Sequence, residues 1–232
     1  MQYTKFRTHT TNIASKATSL TYTILWTFNS KSAEPYIKAF KCYVRPVLEY
    51  STVLWNPCTL TEIRCVEKVQ RLFTRNLLKK LNIKYNSYND RLKQLNLESL
   101  EMRRLQYDLI MIYKILNNLI DLNFDQFFRL MKTRYNLRHH RFALQNPSLA
   151  KTSILRNMFK YRVINAWNSL SDTAVSSKSL DIFKTSLKSE NLERFIFIEQ
   201  WCTFFRLQYF SFVIYRFIFR IYRYKYPGIG TA

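Results

Sequence analysis

Glycine is almost absent from this chain. The 232 residues contain two glycines, Gly228 and Gly230, so residues 1–227 have none. Phosphate-binding loops of the P-loop and dinucleotide-fingerprint types need several glycines, because the backbone must approach the phosphate closely. The composition therefore excludes nucleotide-binding folds of those kinds. Scarce glycine also favours long helices over a sheet built on tight hairpins.

Acidic residues are scarce as well. The chain has 15 Asp and Glu against 37 Lys and Arg, which gives a formal net charge of +22. Such a positive field attracts polyanions and predicts a nucleic-acid partner without naming one. Because 47% of the residues are apolar and 16% are aromatic, we expect at least one packed domain rather than a disordered basic arm.

The chain also lacks the patterns of secreted and metal-binding proteins. Its cysteines, at positions 42, 58, 65 and 202, do not form the close pairs of zinc or disulfide sites, and we interpret them as reduced core residues. Residues 1–20 contain no continuous apolar segment, so secretion is not expected. Two interpretations of this segment remain: a helix inside a domain, or an acid-free transit peptide. The sequence does not identify the location, which would be nuclear or cytoplasmic if the chain is expressed.

Helical periodicity runs through most of the chain and predicts an all-α fold. A helix is predicted from Ala33, kinked or broken near Arg45 by Pro46 and ended by Asn56-Pro57. Thr59 and Glu62 match a capping box that begins the next helix, which should end near Leu78.

Further helices are predicted along the second half. Ser87 begins a short helix ending near Leu95, and Ser99 begins the most periodic segment, with Arg103, Arg104 and Lys114 expected on its polar face. Two more are expected at roughly 152–170 and 179–190. Trp55, Trp167 and Leu170 are predicted to be core residues.

Residues 126–171 contain no acid and nine basic residues, with aromatic rings among them. The sequence predicts contacts with nucleic acid here, because cations bind phosphates and aromatic rings stack on unpaired bases. A solvated basic loop is the alternative. The pair His139-His140 is interpreted as loop or stacking residues, because it supplies too few ligands for a metal.

Residues 193–232 combine aromatic residues with arginines. Glu199, Arg206, Arg216 and Arg220 interrupt every apolar stretch, so a membrane-spanning helix is not expected. Contact with a membrane surface is a less favoured alternative for this tail.

Three segments together resemble one family: YVRPVLEYSTVLWNP at 43–57, VEKVQRLFTRNL at 66–77 and FKYRVINAWNSLSDTAV at 159–175. They resemble the region that follows the polymerase palm in the reverse transcriptases of non-LTR retrotransposons, particularly the jockey-like branch. The resemblance spans roughly residues 5–192. It implies a thumb-like helical bundle at 1–80, a helical C-terminal extension at 81–192 with a basic loop at 126–150, and a divergent basic and aromatic tail at 193–232.

The thumb of this family holds the template–primer duplex, so the resemblance implies RNA and DNA as partners and no small-molecule substrate. By that similarity, we expect contacts with the nucleic-acid backbone from Arg45, Lys68, Arg71 and Arg75. The basic, aromatic segment adds four further candidates: Arg134, Arg138, Arg141 and Lys160. A stand-alone basic helical protein that binds RNA or DNA is the alternative.

Catalytic groups are missing from this sequence. Polymerisation needs palm carboxylates that hold two metal ions, and the chain has neither a Tyr-x-Asp-Asp segment nor any adjacent Asp pair. No Ser or Cys lies in a recognisable nucleophilic motif. We therefore expect this chain alone to be inactive and to hold no cofactor, with Mg²⁺ required only by an intact parent polymerase.

Overall fold

A computed structural model describes residues 3–131, 140–146 and 158–197. The first half contains α1 (Tyr3–Thr27), α2 (Glu34–Ala39), a π-helical segment (Phe40–Val44), α3 (Arg45–Glu49), α4 (Thr52–Trp55) and α5 (Leu60–Lys80). The second half contains α6 (Tyr88–Gln94), α7 (Leu100–Leu116), α8 (Phe124–Phe127), α9 (Phe159–Arg162), α10 (Ile164–Asn168), α11 (Asp172–Val175) and α12 (Leu180–Leu187). A short 3₁₀ helix follows at Glu193–Phe195.

The described residues form an all-α fold, as predicted. They contain no β-strand, and the pairing of Leu130 with Leu144 is an isolated bridge. The chain divides into one compact unit at Met1–Leu192 and a second at Glu193–Ala232. Within the first unit, one hydrophobic core runs from Ala14 to Leu100. That core crosses position 80, where the sequence had suggested a domain boundary.

The long helices α1 and α5 pack together in this core. Ala14 and Ala17 are small residues on the buried face of α1, and small residues allow close approach of a neighbouring helix. Lys80, at the end of α5, donates from Nζ to the carbonyl oxygens of Leu25 at 2.7 Å and Phe28 at 2.6 Å. These contacts satisfy carbonyls at the C-terminus of α1, where a positive charge is favoured.

The predicted helix stays right-handed helical from Glu34 to Glu49, so the chain is not broken at Pro46. The π-helical segment at Phe40–Val44 lies immediately before it, where the proline cannot donate to the carbonyl four residues earlier. The helix ends at Glu49: Tyr50 is extended, and Ser51 follows with a left-handed φ of 53°. This break, which separates α3 from α4, was not predicted, because serine has no strong preference for that conformation.

Helix starts follow the predicted caps. Thr59 and Glu62 form a complete capping box at α5. Ser87 accepts from the N–H of Asp90, and Ser99 accepts from the N–H of Met102. Because each cap satisfies an otherwise unpaired N–H, these positions define where α5, α6 and α7 begin.

Helix ends use asparagine in place of glycine. Asn82, Asn96 and Asn118 follow α5, α6 and α7 with φ values of 54°, 48° and 51°. After each helix, a second backbone bond closes the turn, as in the 2.9 Å bond from the N–H of Ile83 to the carbonyl of Leu78. Asparagine tolerates the left-handed conformation better than other residues with a Cβ atom, so a chain almost without glycine can still end its helices sharply.

We expect Asn82→Ala to lower the free energy of unfolding by about 1 kcal/mol, because alanine is strained in the left-handed region. Chemical denaturation followed by circular dichroism measures this change. Asn12→Ala is the control, since Asn12 is exposed inside α1 in right-handed helix, where alanine is favourable. A loss at position 12 equal to that at position 82 would contradict the explanation.

The second half packs on α7. Tyr113 stacks on Phe183 with 4.3 Å between ring centroids, and Phe183 contacts Trp167. Trp55, Trp167 and Leu170 are buried, as predicted. The predicted helix at 152–170 is wrong in its described part, where α9 and α10 are separate short helices; residues 152–157 lie outside the described residues.

The described cysteines and His140 differ in burial. All three described thiols are free; Cys65 is half-buried against the hydrophobic core and Cys58 is half-buried, whereas Cys42 is exposed and the prediction of a core residue is wrong there. Cys202 lies outside the described residues. His140 lies in a loop, as predicted, and is buried there: its Nε2 is 3.0 Å from the carbonyl oxygen of Trp167, and its ring meets the Trp167 ring edge-on. His139 lies outside the described residues.

Candidate nucleic-acid interface

The outer face of α5 carries a continuous series of basic side chains. The inner face is apolar, with Val66, Val69, Phe73 and Leu77 buried, which is the pattern of an amphipathic helix against a core. Apart from Thr61, all fully exposed residues of α5 are basic: Arg64, Lys68, Arg75, Lys79 and Lys80. Lys80 is already committed to the end of α1. We call the other four, together with Arg71, the α5 basic face.

The spacing places these residues in a line. Positions 64, 68, 71, 75 and 79 follow one another by three or four residues, so their side chains project from the same side of the helix. With a rise of 1.5 Å per residue, the series is about 22 Å long. A phosphate backbone lying along α5 would therefore meet a cation at every turn of the helix.

Both acidic residues of α5 point away from this face. Glu62 accepts from the backbone N–H of Thr59 in the capping box, and Glu67 is completely buried. In the described part of the chain, Arg64, Lys68, Arg75 and Lys79 form no ion pair. The positive charge of the face is thus not neutralised locally and remains available for an external anion.

Arg71 is held in place by α6. Its guanidinium lies 4.5 Å from the ring centroid of Tyr88, and the guanidinium of Arg91 lies 5.3 Å from the same ring. The Tyr88 hydroxyl donates to Glu67 Oε1 at 2.5 Å, and Glu67 also accepts from the N–H of Leu100. Burial and the adjacent carboxylate both raise the pKa of the Tyr88 phenol. The tyrosine therefore couples α5, α6 and α7 beneath the basic face.

We expect Tyr88→Phe to lower the free energy of unfolding by about 1–3 kcal/mol, because it removes a donor from the buried Glu67 carboxylate. Thermal and urea unfolding measure the loss. Tyr85→Phe is the matched control: Tyr85 also contacts Arg91 through its ring, and its hydroxyl makes no hydrogen bond with a described residue. Equal effects at the two positions would show that the Glu67 contact is not the cause.

Arg45 does not join the α5 basic face. It is 8% exposed, its Nε lies 3.9 Å from Glu49 Oε1, and burial and the neighbouring Arg103 both lower the pKa of its guanidinium. Glu49 in turn accepts from Arg103 and Tyr107. This placement differs from the surface contact expected from sequence, because Arg45 lies on the buried side of its helix, near Arg103 of α7.

The remaining predicted positions lie in the second half of the unit. Lys160 is exposed, and Arg141 is exposed with its guanidinium 4.6 Å from the ring centroid of Phe142. Arg134 and Arg138 lie outside the described residues. The roles of Arg141 and Lys160 therefore stay predictions that no contact described in this structure tests.

A buried ionic cluster was missed by sequence reasoning. Arg162 pairs with both oxygens of Asp108 at 2.8 Å and also donates to the carbonyl of Val53 at 2.9 Å. Arg104, expected on the polar face of α7, is instead 2% exposed, and burial lowers its pKa against the opposing effect of Glu67 and Glu101. Glu101, Arg104 and Asp108 follow one another by three or four residues on the face of α7 that continues into Ile112 and Ile115, and this spacing is the signal that could have revealed the cluster.

Other kinds of site receive no support from the described residues. They contain no group of His, Cys, Asp and Glu side chains arranged to hold a metal ion. Within the same part of the chain, no helix has the length and apolar character needed to cross a membrane.

Comparison with known proteins gives one weak relation. The chain is 27% identical over 112 residues to an uncharacterized protein of Caenorhabditis elegans, and the match covers 48% of this chain and 57% of that protein. The chain thus spans little more than half the length of this relative. No protein-family profile matches the chain, and no solved structure matches it.

Proposed function

We propose that this protein binds nucleic acid through the α5 basic face, as the thumb and post-thumb region of a non-LTR retrotransposon reverse transcriptase would bind its template–primer duplex. The observation that carries the proposal is the one-signed line of exposed cations on α5, with both glutamates of that helix turned inward. A line of this kind suits backbone contacts, which position a duplex without reading its sequence.

Three features of the chain support a duplex as the ligand. Arg64, Lys68, Arg75 and Lys79 lie on one rigid helix, so their spacing is fixed before binding. The line of about 22 Å corresponds to roughly six base steps of 3.4 Å along one strand. The overall charge of +22 attracts a polyanion from solution.

The proposed role is binding and not catalysis. The chain has no adjacent Asp pair, so the carboxylates that hold two Mg²⁺ ions in a polymerase would have to come from a palm. The family assignment rests on the three sequence segments at 43–57, 66–77 and 159–175. A stand-alone basic helical protein that binds RNA or DNA would use the same face.

Binding of the full chain to a fluorescent RNA–DNA primer–template duplex, measured by anisotropy at several salt concentrations, tests the proposal. If the four exposed cations of α5 contact phosphates, they alone contribute about −3.6 to the slope of log K against log salt. A slope near zero would overturn it. Equal affinity for duplexes of unrelated sequence is expected, because backbone contacts carry no base information.

A further inference from the structure

A cleft of about 540 Å³ lies between the α3–α4 corner and α7, and it is separate from the α5 basic face. Its volume is within the range of ordinary small-ligand sites. The left-handed Ser51 turns the chain at its rim, and the neighbouring Tyr50 is 80% exposed there. Val53, Ile110 and Met111 contribute an apolar wall.

The charges of the cleft are unbalanced. Lys41, Arg45, Arg103 and Lys114 line it together with one acid, Glu49. Glu49 is already occupied by a two-pronged contact from Arg103 and by the Tyr107 hydroxyl. Neither lysine forms an ion pair among the described residues, so a positive charge remains that a bound anion would neutralise.

Arg45 gives an independent indication of a missing partner. Its Nε is buried and has no hydrogen-bond acceptor among the described residues, and its distance of 3.9 Å from Glu49 is too long for a hydrogen bond. Buried polar atoms normally have partners, because leaving a donor unsatisfied costs free energy. An anion in the cleft would reduce that cost.

We propose that this cleft binds one nucleoside monophosphate unit, with the phosphate near Lys41 and Lys114 and the base against Tyr50 and the apolar wall. An exposed tyrosine beside cations is the combination that stacks on an unpaired base and holds its phosphate. A nucleotide is favoured over an acidic peptide, because its base can contact Tyr50 and the apolar wall. The carboxylates of an acidic peptide would contact neither. The unit can be an unpaired nucleotide at the end of a strand or a free mononucleotide.

Calorimetric titration of the full chain with AMP tests this inference. We expect Lys41→Glu with Lys114→Glu to weaken AMP binding at least about 10-fold, because two charge-assisted contacts are lost. Tyr50→Ala should weaken it about 5- to 100-fold through lost stacking. Lys31→Glu with Lys84→Glu is the control, since it changes net charge equally at two exposed lysines outside the cleft, and should leave AMP binding unchanged.

Three further ligands test whether binding requires both the base and the phosphate of a nucleotide. Adenosine and inorganic phosphate should each bind more weakly than AMP; equal binding of either would overturn the proposal. A glutamate-rich peptide that competes fully with AMP would also overturn it. No calorimetric response to any mononucleotide at millimolar concentration would do the same. Circular dichroism of each variant verifies that it is folded.

The source of the nucleotide is found by comparing duplexes. If an unpaired strand end is the ligand, wild-type protein should bind a duplex with a one-nucleotide overhang more tightly than a blunt duplex, and the Lys41→Glu, Lys114→Glu variant should lose that preference. If only free AMP binds, the preference is absent in both proteins. Substitutions on the α5 basic face should leave AMP binding intact, so failure of this inference and failure of duplex binding are separate results.

Discussion

Asp108→Ala is expected to lower the free energy of unfolding by about 3–5 kcal/mol, because it leaves a buried guanidinium without its carboxylate. Arg162 contacts both Asp108 oxygens at 2.8 Å, and the two side chains are 16% and 3% exposed. Burial raises the pKa of the Asp108 carboxyl, because a charged group loses its hydration there, and the contact with Arg162 opposes that rise. Urea denaturation of the full chain measures the loss.

Two comparisons make this prediction specific. Asp181→Ala removes an exposed ion pair with Lys184 and should cost less than about 1 kcal/mol. Replacing both partners, as Asp108→Leu with Arg162→Met, should recover part of the stability, since an apolar pair avoids the uncompensated charge. If the double variant were no more stable than Asp108→Ala, the loss would come from packing and not from the ion pair.

Reversing three charges on the α5 basic face is the second change with a large expected effect. We expect Lys68→Glu, Arg75→Glu and Lys79→Glu together to lower affinity for a primer–template duplex about 100-fold at physiological salt and to make the salt slope about three units shallower. The physical cause is the loss of three phosphate contacts and of the counterions that each would release. Anisotropy titrations from low to physiological salt measure both quantities.

The control separates the α5 basic face from the general positive field. Lys31→Glu, Lys84→Glu and Lys178→Glu change the net charge by the same amount at exposed positions away from α5. This variant should keep most of the affinity and most of the slope. Equal weakening by the two triple variants would mean that net charge, and not the arrangement on α5, determines binding. Because all six positions are exposed, both variants are expected to fold.

The starts of the helices could be predicted where a capping residue marks them. Thr59, Ser87 and Ser99 each cap the helix that the sequence placed after them, since capping depends on residues within one turn. The break at Ser51 and the separation of α9 from α10 have no such local signal. They depend on what the chain packs against, which periodicity does not contain.

The residues of the candidate site also divide into those that the sequence predicts correctly and those that depend on tertiary packing. Lys68 and Arg75 were found because an amphipathic helix fixes which face is outward. Arg45 was expected at the surface and Arg104 on a polar face, yet both are buried beside carboxylates that are distant in sequence or on the same helix. Sequence patterns predict that a charged side chain is exposed. Only the tertiary structure shows whether a partner of opposite charge lies near enough for it to be buried.

The contact of Lys80 with the end of α1 has a consequence for how the chain is made. During synthesis, α1 emerges before α5, so the part of its apolar face that packs on α5 and the carbonyls that Lys80 contacts find these partners only when α5 has followed. At roughly 5–20 residues per second, the ribosome needs several seconds to add the intervening segment. During that interval the face of α1 that will contact α5 is exposed to the nascent chain's surroundings, so chaperone binding to α1 is expected until α5 has been made.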